Sequence, residues 1–182
     1  MKKIENRGII RQMVLLLFLV GSLISFSKNF WEKSSFTVDV VETIKVNKTN
    51  KVKKYVMNYN NGTLKLTITS PNVNKGEIYT IKGNTKTIYY PSLKQTVTQK
   101  LDKDEVNILS VFNKLKGITS TKTQTKNGDQ FIFSNNWLTM IKSSRYTANF
   151  SDYKKSGDYT YPTNLSVTDG SSQIIYRFSN FR

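Results

Sequence analysis

The strongest constraint on the fold is the alternation of apolar and polar side chains between residues 62 and 99. In its first run Leu64, Leu66 and Ile68 are separated by lysine and threonine, and this period of two gives a strand one apolar and one polar face. Three more β-branched and aromatic runs follow, separated by Lys-Gly-Asn and Pro-Ser, which do not continue a central strand. The segment therefore predicts a meander of four consecutive strands.

Turn signals of the hairpin type recur along the rest of the chain. Asn61-Gly62, Asn127-Gly128 and Asp169-Gly170 each lie between strand-forming runs and are typical of type I′ hairpin turns. Together with residues 34–46 these runs give nine to eleven predicted strands and no convincing βαβ unit. The pattern predicts a mainly β protein with one or two helices, built as a single antiparallel sheet curled on itself.

One segment, residues 102–117, changes from the strand period to the helix period. Its apolar residues fall on one stripe of an α-helix: Ile108, Leu109, Val111, Phe112 and Leu115. Asp102 with Glu105 resembles a capping box at the start, and Gly117 can take the left-handed position after the end. An amphipathic helix in a β chain must lay its stripe on the sheet, where it is either a lid over a cavity or an ordinary core helix.

A second, shorter pattern leaves two interpretations open. Trp137, Leu138, Met140 and Ile141 have a helix-like spacing, but the run is too short to distinguish a helical turn from a strand. We therefore expect either another helical turn against the same space or a strand with bulky side chains.

Composition excludes several kinds of chemistry. The chain has no Cys and no His, so it contains no thiol nucleophile, disulfide, Cys/His zinc site or imidazole base. Its 12 acidic residues mostly lie singly among lysines, which does not suggest a pair of catalytic carboxylates. We therefore expect a protein that is not an enzyme and needs no metal or cofactor. The 182 residues suffice for one well-buried core, which predicts one domain.

The first 27 residues have the pattern of a secretory signal peptide. Four basic residues precede an apolar run over residues 13–26, which is short for a membrane-spanning helix. Ser25 and Ser27 are small residues that predict cleavage after Ser27, leaving residues 28–182 as the mature domain; an uncleaved membrane anchor is the alternative. No cysteine follows the apolar run, so lipidation of the bacterial-lipoprotein kind is not possible there.

The mature chain is strongly basic. The leader has a net charge of +3, so the mature chain keeps +13 of the total +16. This charge favours an anionic partner, such as a membrane surface or the acidic head groups of a lipid. Lysines spread from Lys45 to Lys155 also fit ordinary solvated strand faces, and a secretory leader argues against nucleic acid as the partner.

A proline, a polar spacer, two alternating strands and a closing aromatic pair follow one another in the central region. Here they are Pro71, Lys75-Gly76-Glu77 and the run Tyr89-Tyr90-Pro91-Ser92-Leu93. The arrangement resembles the LolA/LolB family of periplasmic lipoprotein carriers and receptors, and the similarity extends from about Ser34 to the end. The resemblance implies a half-open antiparallel barrel with a helical lid, which holds lipoprotein acyl chains in an apolar interior. It also implies a periplasmic location, with an inner-membrane transporter and an outer-membrane receptor as partners.

Two departures from the family pattern concern the lid. Fewer than ten residues separate the predicted cleavage site from Ser34, which leaves little room for the helix that usually precedes the first strand. Ser70 stands where the family's carrier has an arginine that latches the lid, which affects the expected loading mechanism more than the fold. The missing lipidation cysteine favours the soluble carrier over the lipid-anchored receptor.

Apolar area alone can hold an acyl chain, since each buried CH₂ contributes about 0.8 kcal/mol. The candidate lining residues are the apolar sides of the meander and the helix stripe: Leu64, Leu66, Ile68, Ile81, Ile88, Tyr90, Val97, Ile108, Leu109, Val111, Phe112 and Leu115. Each of them also fits plain core packing. We therefore expect a monomeric carrier of acylated lipoproteins or related lipids to the outer membrane. The alternative is a cell-envelope β-domain with a solid core that binds acidic polymers or partners through its basic surface.

Overall fold

Strands dominate the computed structural model, which describes residues 27–46, 49–101, 108–170 and 172–182. The strands are β1 (Lys28–Asn29), β2 (Ser35–Val46), β3 (Thr49–Asn60), β4 (Thr63–Ser70), β5 (Ile78–Lys82), β6 (Thr85–Tyr90), β7 (Gln95–Lys100), β8 (Gln124–Lys126), β9 (Asp129–Ser134), β10 (Trp137–Lys142), β11 (Thr147–Ser156), β12 (Tyr159–Thr168) and β13 (Ser172–Ser179). The helical segments of these residues are α1 (Ile108–Leu115) and two short 3-10 helices, Phe30–Glu32 and Asn72–Asn74. The mainly β class predicted from the sequence is confirmed.

The strands of the described residues form one sheet in the order β7-β6-β5-β4-β3-β2-β13-β12-β11-β10-β9-β8, with β1 added parallel to β12. Neighbours along this order are antiparallel. The meander predicted over residues 62–99 is confirmed as β4 to β7, each paired with the next. The order runs from β7 to β8 without closing, so the expected incomplete barrel is confirmed for the described part of the chain.

Within the described residues the sheet has thirteen strands, more than the nine to eleven predicted. The segment whose helix-like spacing left two interpretations open is strand β10. A β-bulge between Leu138 and Met140 adds one residue to this strand, so Leu138 and Ile141 are both fully buried. The bulge therefore explains a spacing of three that an unbroken strand would not show.

Two of the three predicted hairpin turns have the expected type I′ geometry. The φ angles are 44° and 85° at Asn61-Gly62, and 51° and 81° at Asn127-Gly128, positive at both central residues as this turn requires. The third connection differs: Thr168 pairs with Gln173, and the backbone N–H of Asp169 donates to the carbonyl oxygen of Ser172 at 3.2 Å. The carboxylate of Asp169 also accepts a hydrogen bond of 2.8 Å from the backbone N–H of Ser172, which stabilises the turn.

The sheet curls around helix α1, as two lysines at the end of the helix demonstrate. Lys114 in α1 forms an ion pair with Asp129 on β9, while Lys116 lies 5.4 Å from the ring centroid of Tyr59 on β3. These strands are six places apart in the sheet order, a separation of about 29 Å in a flat sheet. Side chains that start two residues apart cannot span that distance, so the curl of the sheet brings β3 and β9 together around α1.

The buried core lies between α1 and the inner face of the sheet, which we define as the face that carries the buried residues. All the predicted stripe residues of α1 are buried, the most exposed of them being Phe112 at 5%. They join one apolar cluster with residues of β2 to β5 and β9 to β13. Gly117 has φ of 74°, which confirms the left-handed position after the helix. The predicted cap at Asp102 and Glu105 lies outside the described residues.

Strand β1 follows directly on the predicted cleavage site. The hydroxyl of Ser27 and the backbone N–H of Lys28 both donate to the carbonyl oxygen of Asp158, at 3.1 and 2.7 Å. The predicted signal segment before Ser27 lies outside the described residues. In the described part of the chain, no helix has both the length and the apolar composition needed to cross a membrane.

Candidate functional site

A group of aromatic rings packs beneath helix α1. We define the aromatic cluster as Phe30, Phe36, Tyr59, Phe112, Tyr161 and Phe181. The ring centroid of Phe112 is 5.5 Å from that of Phe30 and 5.9 Å from that of Phe36, both edge to face. Phe181 stacks on Phe36 at 4.9 Å and on Tyr161 at 4.5 Å. Such aromatic pairs are favourable beyond the area that they bury, so the cluster holds α1 to the first and last segments of the domain.

The aromatic cluster borders a small apolar cavity. This cavity has a volume of about 10 Å³, about the least that can hold one water molecule. Its wall is apolar and is formed by Phe30, Phe36, Val38, Met57, Phe112, Phe150, Tyr161, Pro162, Leu165, Phe178 and Phe181. This cavity is too small for an acyl chain in this arrangement, so an acyl chain could enter it only if α1 and the Phe112 ring moved.

Two hydrogen bonds fasten the turn that follows α1. The indole Nε1 of Trp31 donates to the carbonyl oxygen of Ile118 at 3.0 Å. The Nζ of Lys126 donates to the carbonyl oxygen of Gly117, also at 3.0 Å. A helix end leaves carbonyl groups without partners in the helix, and these two donors satisfy carbonyls just past that end. The contacts tie α1 to the Phe30–Glu32 turn on one side and to strand β8 on the other.

Lys114 fastens α1 to the opposite part of the sheet. Its Nζ forms an ion pair with the carboxylate of Asp129, lies 3.3 Å from the hydroxyl of Ser143, and lies 5.5 Å from the ring centroid of Tyr146. Asp129 is only 8% exposed, so this ion pair is partly screened from water. Burial, and then the charge of Asp129, raise the pKa of Tyr146 well above its usual value. Tyr146 therefore stays neutral at neutral pH.

Most of the predicted lining residues lie on the inner face of the sheet or on the stripe of α1. The members of the buried apolar cluster are Leu64, Leu66, Ile68, Ile81, Ile108, Leu109, Val111, Phe112 and Leu115. Ile88 is buried but lies outside this cluster, and Tyr90 is half-buried. Of the twelve predicted residues, Phe112 alone lines the small cavity. Contact of any of the twelve with a ligand stays a prediction.

The position of Val97 differs from the prediction that it lines the interior. It is 47% exposed, so it does not line the interior in this arrangement. The physical reason is its place on β7, an edge strand on which all six residues are exposed, beyond the point where the buried cluster ends at β5. The alternation of apolar and polar residues gives the face of a strand correctly but does not show how far the covering helix extends.

Sequence reasoning missed the aromatic residues near the two ends of the domain that line the cavity. Phe30 and Phe36 come from the first segment, and Tyr161, Phe178 and Phe181 come from the last two strands and the residues after them. Phe30 and Phe181 lie outside the strands, so no alternation marks them. Their only signal in the sequence is large apolar area, which is mostly buried in a small domain.

Ser70, which stands in the position of the latching arginine, ends strand β4 and pairs with Lys54 on β3. The fastenings of α1 described above do not involve Ser70 but Trp31, Lys126 and the pair of Lys114 with Asp129. Helix α1 is therefore held in place without an arginine at that position.

Solved structures similar to this chain share one fold. A LolA superfamily protein from Nitrosomonas europaea aligns over 87% of this chain and 89% of its own, with a TM-score of 0.58 and 14% sequence identity. An outer membrane lipoprotein-sorting protein domain from Vibrio parahaemolyticus aligns over 85% of this chain and 86% of its own, with a TM-score of 0.58 and 13% identity. A DUF1329 family protein from Desulfovibrio piger aligns over 82% and 85%, with a TM-score of 0.55 and 9% identity.

The similarity lies in the fold and not in the sequence. No family model matches this chain, and no curated protein matches it in sequence. The structural alignments with the first two nevertheless cover 85–89% of both partners. The resemblance that the sequence suggested is confirmed at the level of the fold. The chain therefore has the fold of the LolA superfamily.

Proposed function

We propose that this protein is a lipid carrier that holds acyl chains in its apolar interior beneath helix α1. The observation that carries the proposal is the helix itself, whose buried stripe lies on the inner face of a curled sheet that does not close within the described residues. A structure with the same fold is described as an outer membrane lipoprotein-sorting protein domain, which favours the acyl chains of lipoproteins as the cargo.

For the interior to open, helix α1 must leave the inner face of the sheet, against which its apolar stripe is buried. In the described part of the chain helix α1 has eight residues, and isolated helices shorter than about 12 residues are marginal in water, so it depends on its packing and on its fastenings at Trp31, Lys114 and Lys126. An acyl chain that takes the place of the stripe keeps the inner face of the sheet covered. Each CH₂ that it buries contributes about 0.8 kcal/mol, so a long chain offsets the loss of the helix contacts.

The cellular role that we propose follows from the same reading. The secretory leader would bring the protein to the periplasm, where it would carry acylated lipoproteins or related lipids towards the outer membrane. An inner-membrane transporter and an outer-membrane receptor would be its partners. Holding an acyl chain needs no bond to be made or broken, so the proposal includes no catalytic group.

One observation favours the other candidate, a cell-envelope β-domain with a solid core. The cavity of about 10 Å³ is what a fully packed core would show. In that case the basic surface, with +13 on the mature chain, would bind acidic polymers, and α1 would be an ordinary core helix. The two candidates differ in whether the interior ever admits a ligand.

Native mass spectrometry of the protein purified from its own envelope separates the two candidates. A carrier is expected to show additional mass that organic extraction removes and identifies as lipid. Titration of the purified protein with a fluorescent long-chain fatty acid, with a triacylated lipopeptide as competitor, gives the second readout. If neither lipid binds while an acidic polysaccharide binds with steep salt dependence, the carrier proposal is wrong and the solid β-domain takes its place.

A further inference from the structure

A polar groove borders the aromatic cluster at Tyr161 and Phe181, and cations line it. Its volume is about 510 Å³. Lys154 and Lys155 of β11 and Arg177 of β13 line it, and all three side chains are exposed. Within the described residues none of these three cations is joined to a carboxylate by an ion pair. The groove therefore offers three positive charges to a ligand of opposite charge.

The acidic residues nearest to the groove already have partners. The carboxylate of Asp152 accepts a hydrogen bond from the side-chain amide of Asn164, and that of Asp39 accepts one of 2.7 Å from the amide of Asn180. Both asparagines line the groove, so neutral amides stand between these acids and the open space. A neutral amide does not cancel the charge of a carboxylate, so these two acids offset part of the positive charge, but the residues that line the groove include three cations and no acid.

The groove and the apolar cavity share part of their walls. Tyr161, Phe178 and Phe181 line both spaces, and each of them is 7 or 8% exposed. Tyr161 and Phe181 stack at 4.5 Å and nearly parallel, at 14°. These rings therefore separate a wet, cationic space from a dry, apolar one over the thickness of a single layer of side chains.

We infer that the groove binds the phosphate-bearing head group of a lipid whose acyl chain passes Tyr161 and Phe181 into the interior. The inference rests on the proposed carrier function and names the chemical class of its ligand, an anionic amphiphile. The planar fork of Arg177 suits two phosphate oxygens, and the lysines add point charges. The head group stays in water at the groove while the acyl chain is buried. No charged group then loses its hydration, and no apolar chain is left in water.

The test compares ligands that differ only in the phosphate. Lysophosphatidic acid and the monoacylglycerol with the same acyl chain are titrated in parallel, and glycerol 3-phosphate represents the head group alone. The groove variant carries Lys154→Gln, Lys155→Gln and Arg177→Gln. The matched control removes the same charge from exposed positions away from the groove, with Lys65→Gln, Lys82→Gln and Lys100→Gln. Thermal melts establish that both variants are folded.

The wild-type protein is expected to bind lysophosphatidic acid about tenfold more tightly than monoacylglycerol, the effect of roughly one charge-assisted hydrogen bond. The groove variant should lose this preference and keep its affinity for monoacylglycerol, while the control variant should keep both. Glycerol 3-phosphate should bind far more weakly than the lysolipid.

Each other outcome has one meaning. Equal binding of lysophosphatidic acid and monoacylglycerol by the wild-type protein overturns the head-group site and leaves the carrier function intact. The same loss in the groove and control variants shows that the attraction is general and overturns the site. Binding of glycerol 3-phosphate as tight as that of the lysolipid shows a simple anion site and overturns its link to the interior. If neither lysophosphatidic acid nor monoacylglycerol binds, the proposed carrier function fails and the inference fails with it.

Discussion

The indole Nε1 of Trp31 donates a hydrogen bond to the backbone carbonyl of Ile118 over 3.0 Å. The two residues are 87 positions apart in the chain, and the bond joins the short Phe30–Glu32 turn to the end of helix α1. Trp31 is 9% exposed, so water competes poorly for this carbonyl. In the proposed carrier the bond is one of the contacts that must break when α1 opens.

Replacement of Trp31 by Phe should raise the apparent affinity for acyl chains. The variant loses the hydrogen bond to Ile118, worth about 1 kcal/mol, and this loss favours the open state. Because apparent affinity scales with the fraction of open molecules, a gain of about fivefold is expected in the fluorescent fatty acid titration. Trp137→Phe is the matched control and should leave affinity unchanged. Trp137 packs against Tyr153 of β11, with the two rings tilted relative to each other. Unchanged affinity in Trp31→Phe would show that this bond does not restrain the lid.

Replacement of Phe112 by Ala should destabilise the protein and favour lipid binding at the same time. Phe112 is 5% exposed within the aromatic cluster, and such a truncation costs about 3–5 kcal/mol of unfolding free energy. It also enlarges the cavity where the proposed ligand enters. Phe131→Ala is the control, because Phe131 is 1% exposed but does not line the cavity. Urea unfolding and the fatty acid titration check both effects, and an equal gain of affinity in the control would point to general loosening.

The fold was predictable from the sequence where a period repeats. The alternation around Leu64, Leu66 and Ile68 gave the meander, and the stripe from Ile108 to Leu115 gave the helix and its buried face. Asn61-Gly62 and Asn127-Gly128 gave their turns because few other residues accept positive φ at both positions. Each of these signals depends on residues close together in the chain.

The candidate site was less predictable, because it depends on contacts between distant residues. Phe30 meets Phe112 and Phe181 meets Phe36 through long-range packing, and neither Phe30 nor Phe181 lies in a periodic run. Val97 has the alternation of a lining residue, but its edge strand lies beyond the buried cluster. The bulge in β10 imitated helical spacing at Leu138 and Ile141, since one extra residue shifts the period of a strand.

Stability should fall in alkaline solution because several tyrosines are held neutral by burial. Burial is the largest cause that raises the pKa above its usual value in Tyr55, Tyr79, Tyr146, Tyr153 and Tyr176. Such a group contributes its full stability below the pKa of the unfolded chain, about 10, and loses it as the pH rises further. The unfolding free energy should therefore decline above a pH of about 10.

Tyr176→Phe should weaken this alkaline decline, because it keeps a buried ring and removes a hydroxyl that burial and then Glu42 keep protonated. Tyr89→Phe, at an exposed ring, is the matched control. Urea unfolding at neutral pH and in alkaline buffer checks the difference. Equal pH dependence in the wild-type protein and Tyr176→Phe would show that this hydroxyl does not contribute.

The mature protein should begin at or near Lys28. Strand β1 pairs Lys28 with Tyr159 of β12, so sheet structure is available directly after the predicted cleavage site. Intact-mass measurement on protein recovered from the soluble periplasmic fraction checks this prediction. A full-length chain recovered only from membranes would support the uncleaved anchor and a carrier that works at one membrane.

The measurement that tests the central claim most directly follows the fluorescence of Trp31 while a lipid binds. The chain has two tryptophans, so the Trp137→Phe variant reports on Trp31 alone, whose ring lies 5.2 Å from that of Phe30 in the aromatic cluster. A brominated fatty acid, which quenches indole fluorescence on contact, is compared with the unbrominated acid. If acyl chains enter beneath α1, the brominated acid should quench Trp31 saturably and the unbrominated acid should not. Equal signals from both acids at saturation, or no saturable change with either, would contradict the account.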